Sequence, residues 1–351
     1  MSGRRIGIVN VQTPFVRGGA EMHADNLVKA VRHAGHEADL ITLPFKSYPP
    51  QRILDHMLAY RLLDLTESVH AKIDTLICLK FPSYVVAHPD RRVWLLHQHR
   101  SAYDLWRNPM GDLGNYHDGN SIREAIEAAD NRHLREANRL FTNSQNVSKR
   151  LKQYNGIEAD PLYHPPPGAS SIYTAEAQDF LFYPSRLTPV KRQELVLKAL
   201  QHTKQDVVVR LAGRPDSPSH MKSLEKLTAE LGVQDRVHWM GGVTDEEMLE
   251  LYANCLGVVY PPTDEDYGYV TLEGMLASKP VITCRDSGGP LEFVREGETG
   301  LIARARPEEL AEAMDTLWAD RSRAAEMGRA GRAAYEAADI TWENAVGKLL
   351  G

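Results

Sequence analysis

The sequence predicts an α/β protein of two successive domains, each a parallel sheet covered on both faces by helices. Three observations predict it. Apolar strand-like runs alternate with helical patterns over residues 1–164, the order that gives a buried parallel sheet. Pro165-Pro166-Pro167-Gly168 then breaks the pattern as a linker. Beyond it the alternation restarts. We therefore expect two Rossmann-like domains, 1–164 and 168–338, facing a central cleft. A C-terminal helix over 339–351 would pack back on the first domain.

The first-domain strands are expected at 5–11 (RIGIVNV), 37–43 (EADLITL), 74–80 (DTLICLK), 92–97 (RVWLLH) and 139–143 (RLFTN). Helical patterns fall at 19–34, 51–71 and 121–138. In the second domain, strands are expected at 179–184, 206–212, 236–240, 256–260 and 280–284. Thr244 with Glu247 three residues on is a capping box and opens a helix. The segment YVTLEGMLASK (269–279) reads as a helix closed by Pro280. Two helical stretches, about 307–338 and 341–350, finish the chain.

Composition narrows the class. The chain has 351 residues, room for two domains, and its 25% charged content is that of a globular protein. Charge is uneven: 21 Lys and Arg face 18 Asp and Glu in residues 1–164, while the remainder holds 20 against 29. The first part is thus +3 and the second −9, matching the net −6. Eleven of the 14 histidines also lie in the first part. A mildly basic first domain suits an anionic acceptor or peripheral contact with an anionic membrane surface; nucleic acid is not an expected partner. Cys78, Cys255 and Cys284 sit in apolar runs and read as buried reduced thiols. No apolar run approaches a membrane span, and MSGRRIGIVNV leads straight into a strand. A cytoplasmic protein, peripheral at the inner membrane face, is the expected setting.

The most informative segment is TDEDYGYVTLEGM (263–275). Glu265 falls in the loop after a buried strand, and Glu273 about one turn inside the following helix. Between them lie the first-turn amides near Gly268, Tyr269 and Val270, which lack intrahelical partners and carry partial positive charge. Such an end attracts phosphate. Acceptors on either side of an anion site suit a ligand with hydroxyls on both sides of a phosphate, as in a nucleotide-sugar. The second informative segment is YPSRLTPVKRQELVLKAL (183–200). It places Arg186 and Lys191 on one loop after a strand. Arginine grips phosphate bidentately and lysine adds a mobile point charge. Together they can stabilise a departing pyrophosphate without a divalent metal. Asp264-Glu265-Asp266, three adjacent acids, could instead hold a divalent cation through phosphate.

In these residues the chain resembles the family-4 group of retaining glycosyltransferases, which adopt the GT-B fold. Glu265-x7-Glu273 matches that family's paired glutamates, and Arg186-x4-Lys191 its paired basic residues. FVRGGAEMHADNLVKAVRHAGHEADLIT (15–42) is similar to its opening glycine loop, helix and strand. The resemblance implies that Glu265 touches donor-sugar hydroxyls and Glu273 the ribose. It implies that Arg186 and Lys191 hold the diphosphate, together with amides near Gly268, Tyr269 and Val270. Gly18 and Gly19 would let backbone approach the donor phosphate or the acceptor. Met240 and Gly241, after a strand, would set backbone against the base, or simply form a tight turn. The family often carries a histidine near the reacting sugar. In VWLLHQHRSAYDLW (93–106), His97 directly follows the apolar run, and His99 is the alternative. His99, Arg100 and Tyr103 are acceptor-binding candidates, although Arg100 could equally pair with Asp104. Ser287-Gly288-Gly289-Pro290 reads as a backbone turn first and a sugar contact second. Ser185 and Arg192 depart from the family by standing where glycine is common.

The expected reaction moves a hexose from a nucleoside-diphosphate sugar, UDP- or GDP-linked, to a hydroxyl of a glycan or lipid-linked saccharide. No metal or cofactor is required. A nicotinamide-dependent nucleotide-sugar enzyme is the first rival, and VNVQTPFVRGGAE (9–21) lacks the G-x-G-x-x-G it needs. A non-catalytic two-lobed sugar-binding protein is the second.

Overall fold

The computed structural model describes residues 3–16 and 18–351. Two units emerge: residues up to Pro167 with Ile340–Gly351, and Gly168–Asp339.

The first unit holds six strands: β1 (Arg5–Gln12), β2 (Glu37–Pro44), β3 (Thr75–Cys78), β4 (Arg91–Leu95), β5 (Arg139–Thr142) and β6 (Asp160–Pro161). They form one parallel sheet in the order β2-β1-β3-β4-β5-β6. Ile6 through Val11 are all buried, as expected of a strand covered on both faces. The helices are α1 (Gly19–His33), α2 (Gln51–Leu62), α3 (Gly119–His133) and α4 (Gln145–Asn155). Helix α2 is shorter than expected. A two-residue hairpin, Glu67–Ser68 against Ala71–Lys72, takes the remainder. Its turn residues Val69 and His70 both have positive φ, a conformation that the sequence does not signal, because such turns usually carry Asn-Gly.

The second unit repeats the plan. Its strands are β7 (Leu181–Pro184), β8 (Val209–Ala212), β9 (Val237–Gly241), β10 (Gly257–Val259), β11 (Val281–Cys284) and β12 (Gly300–Ala303). Their order is β9-β8-β7-β10-β11-β12, again parallel. Helices α5 (Gln193–His202), α6 (Pro218–Glu230), α7 (Asp245–Asn254), α8 (Tyr269–Leu276), α9 (Pro307–Ala319) and α10 (Arg321–Ala337) cover it. Thr244 and Glu247 form the expected capping box. Cys78, Cys255 and Cys284 are free and buried, and burial pushes each thiol up to about 12.

The last helix, α11 (Trp342–Leu350), belongs to the first unit. Its apolar face packs Ala345, Val346, Leu349 and Leu350 against Ile6, Ile8, Leu27 and Trp94. Its C-terminal carbonyls, which have no helical partners, accept from arginines in or next to the sheet. Arg4 donates to Leu350 O at 3.1 Å, Arg139 to Lys348 O at 3.3 Å, and Arg92 to Leu349 O. Cations at this end also oppose the helix dipole. Leu349 is 0% exposed. Leu349→Ala should therefore cost about 2–5 kcal/mol in urea unfolding.

Candidate active site

In the second unit the chain leaves β7 for β8 on one side, then crosses to β10 on the other. Ligands of open parallel sheets bind outside the strand ends at such a reversal. The loop after β7 carries Arg186 and Lys191, and the loop after β10 carries Glu265.

Lys191 ends a short 3-10 turn, Pro189–Lys191. Its ammonium donates to the Tyr260 hydroxyl at 2.9 Å and forms an ion pair with Glu265. The Tyr183 hydroxyl, from β7, donates to the Lys191 carbonyl. Only 15% of the Lys191 side chain is exposed. Arg186 differs: its side chain is 62% exposed and reaches Asp216 at 3.2 Å. One cation is thus held in a fixed place and the other is presented to solvent.

The Glu265 backbone is pinned from the other side. Its N–H donates to Ser287 O at 2.9 Å, and its carbonyl accepts from Gly289 N at 2.8 Å. A Cβ at Gly289 would stand 2.6 Å from Tyr267 O and 2.8 Å from Asp266 O. The Gly-Gly turn is therefore a requirement of backbone packing. Asp264, Glu265 and Asp266 do not gather as cation ligands. Among the described residues, no three His, Cys, Asp or Glu side chains come together so as to hold a metal ion.

Helix α8 starts as expected. Gly268 caps it in the left-handed region (φ 84°) with no side-chain cap. The first-turn amides of Tyr269 and Val270 precede the first i→i−4 partner. Glu273 follows one turn in, where it accepts from the Tyr252 hydroxyl. Burial pushes its carboxyl up to about 7, with the Tyr252 bond opposing. Burial and the neighbouring Glu273 also push the Tyr269 phenol up. Met240, 40% exposed, and Gly241 end β9 on the same side of the sheet. They lie two strands from β7, roughly 10 Å at ordinary strand spacing. The Gly241 carbonyl accepts from Gly213 N at 2.7 Å.

In the first unit, Gly18 caps α1 in extended conformation, and its N–H donates to Glu21 at 2.9 Å. Glu21 in turn pairs with Lys80 at 3.4 Å. Gly18 and Gly19 thus open the helix after β1; Arg17 lies outside the described residues. The two histidines part company. His99 packs among the rings of Phe81 and Phe45, with centroids at 5.5 and 6.3 Å, and burial pushes it down to about 4. His97 is partly exposed, with Nδ1 2.7 Å from Gln98 O. Two acceptor candidates have partners of their own. Tyr103 is 3% exposed and its hydroxyl donates to Asp130 at 2.7 Å, so its side chain is part of the core. Arg100 pairs with Asp104 at 2.6 Å, the ordinary alternative for it.

Three tyrosines that sequence reasoning passed over hold the site together: Tyr183 and Tyr260 around Lys191, and Tyr252 on Glu273. Tyr260, at the end of an apolar run beside Pro261-Pro262, carried the only local signal.

Two six-stranded parallel units with these strand-end groups define the architecture as GT-B, and solved structures agree. Anabaena HepE in complex with UDP-glucose superimposes with a TM-score of 0.70 at 18% identity, covering 98% of each chain. Residues 171–334, a little under half of the chain, match the family described as Glycosyl transferases group 1, in line with the resemblance read from the sequence. A D-inositol 3-phosphate glycosyltransferase of Nocardia farcinica is 26% identical over 239 residues, 62% of this chain and 52% of that protein. A GDP-mannose-dependent alpha-(1-6)-phosphatidylinositol monomannoside mannosyltransferase of Mycobacterium tuberculosis is 33% identical over 177 residues, 47% of this chain and 44% of that one. The chain thus spans about half the length of these curated relatives or less.

Proposed function

We propose that this protein is a retaining hexosyltransferase. It transfers a hexose from a UDP- or GDP-sugar to a hydroxyl of a glycan or lipid-linked saccharide, with no metal ion required. One observation carries the reading: Lys191 and Glu265, far apart in sequence, meet at the strand reversal beside the open N-terminus of α8. A cation and the helix-terminal amides of α8 on one rim, flanked by two carboxylates, match a diphosphate with a sugar at one end and a ribose at the other.

In this reading Glu265 takes sugar hydroxyls and Glu273 the ribose hydroxyls. Lys191, Arg186 and the α8 amides receive the diphosphate. The bond between the anomeric carbon and the phosphate oxygen breaks as the acceptor oxygen bonds to the same face. The acceptor proton passes to the departing phosphate oxygen. The developing negative charge falls on fixed cations and dipoles, which need no reorganisation. The first unit is assigned the acceptor, with His97 as its contribution to catalysis. The names of the relatives support a nucleotide-sugar donor and a lipid-linked or glycan acceptor. A cytoplasmic enzyme touching an anionic membrane surface fits the basic first part. Among the described residues no helix is long and apolar enough to cross a membrane.

A thermal-shift panel of UDP, GDP and ADP tests this. A nucleotide at a hundred times its dissociation constant adds about 2.7 kcal/mol, or roughly 5–10 °C for units of this size. UDP or GDP should give that shift. A shift with free hexose and none with any nucleotide would instead favour the sugar-binding reading.

A further inference from the structure

Arg192 follows Lys191 and adopts φ 59°, ψ 42°. That left-handed region suits glycine and strains a residue with a Cβ. Here the arginine side chain gives a reason for its presence. Its guanidinium grips Asp286 as a fork, Nη1 to Oδ1 at 2.8 Å and Nη2 to Oδ2 at 2.6 Å. Nη1 also lies 3.5 Å from Pro262 O. Bidentate pairs of this kind fix geometry as well as charge. The guanidinium holds the Asp286 carboxyl below the usual range.

The position of this fork matters. Three loops surround the candidate site. The loop 263–265 carries Glu265 and is bonded to both others: Thr263 N donates to Val190 O at 2.7 Å, Asp264 N to Asp286 O at 2.9 Å, and Glu265 N to Ser287 O at 2.9 Å. The remaining side, between the Lys191 loop and the 286–289 turn, is closed by Arg192 and Asp286. We infer that the Arg192–Asp286 fork is a positioning clamp that holds the Lys191 ammonium and the Glu265 carboxylate in register. The inference deepens the proposed function, on which its consequence for nucleotide binding rests. Neither residue is assigned contact with the reacting atoms.

Arg192→Gly removes the side chain while keeping a residue at ease in the left-handed region, so the loop can still form. Asp286→Asn keeps the shape and removes the charge. Two readouts separate the clamp from the reading beneath it. The first is amide exchange of Thr263, Asp264 and Glu265 without ligand. Exchange should quicken about three- to tenfold in each variant, as expected when a local unit opens more easily, and the double variant should add little further. The second is affinity for UDP and for GDP, each by calorimetry. Each variant should weaken whichever nucleotide the wild type binds by about three- to tenfold, again without additivity. Unchanged exchange in both single variants overturns the clamp, whatever nucleotide binding shows. So does weakened nucleotide binding in Arg192→Gly with none in Asp286→Asn, since that pattern makes Arg192 a direct phosphate ligand. If the wild type binds neither nucleotide yet both variants exchange faster, the clamp stands and the donor assignment falls.

Discussion

Lys191→Ala should lower kcat by about 10²–10³-fold, the range seen when a fixed group that stabilises transition-state charge is removed. The magnitude follows from where the ammonium is held. Tyr260 binds it, Tyr183 anchors its backbone, and little of it is exposed. An ion fixed in this way has nothing to reorganise when charge develops on the departing phosphate. In the resting protein the same ammonium neutralises Glu265. In the proposed reading, donor binding exchanges that partner for phosphate and frees the carboxylate for sugar hydroxyls. The substitution also leaves Glu265 beside Tyr260 without its cation, so a modest loss of stability is expected alongside the loss of turnover. Steady-state kinetics together with thermal unfolding separate the two. A variant that keeps near-wild-type kcat would remove the leaving-group role.

Glu273→Gln should stabilise the protein above pH 7 while weakening nucleotide binding. Burial raises the Glu273 carboxyl from 4.5 to about 7. The folded state therefore binds this proton more tightly than the unfolded chain does. Below pH 4.5 both states are protonated and nothing is lost. Between 4.5 and 7 the unfolded chain ionises first, so stability falls as pH rises. Above 7 the loss is complete, up to about 3 kcal/mol by linkage. The amide carries no such charge, so the variant should unfold later than wild type at pH 8, with the difference vanishing near pH 4. Binding should follow the opposite course. Tyr252 occupies one side of the carboxylate, and an ionised group still has acceptor sites for two ribose hydroxyls. Wild-type affinity for UDP or GDP should rise about tenfold from pH 6 to 8, as the acceptor ionises. The variant should bind roughly tenfold or more weakly at pH 8 and show little pH dependence. Calorimetry at both pH values checks this. A variant less stable than wild type at pH 8 would contradict the burial account.

How much of this was legible beforehand depends on whether the information is local. Strands β1, β3 and β4 announce themselves because both faces are buried and the apolar run is nearly continuous. The capping box at Thr244 and the glycine start of α8 are also local, and both stand as expected. Helix α4 escaped notice because Gln145–Asn155 is mostly polar. Its ends were nevertheless readable: Ser144 caps it by accepting from Val147 N, and Gly156 closes it in the left-handed region. Strand β12 and the two-residue β6 are short edge pairings whose apolar pattern is too brief to weigh. The positions of Lys191, Glu265 and Glu273 could be named from spacing, but their tyrosine partners could not. Tyr183 stands eight residues before Lys191, and Tyr252 stands 21 before Glu273. Only the fold brings each hydroxyl to its partner. The same limit explains Tyr103. Its hydroxyl serves Asp130, 27 residues on, inside the core, and nothing near it in sequence signals that burial.

The most direct test is a crystal structure with the nucleotide-sugar that the thermal panel selects. The diphosphate should lie on the second unit, within hydrogen-bond reach of Lys191 and of the Tyr269 and Val270 amides. The ribose should be at Glu273, and the Lys191–Glu265 contact should be exchanged for phosphate. A diphosphate seated anywhere else, with that ion pair intact, would contradict the assignment of this rim as the donor site.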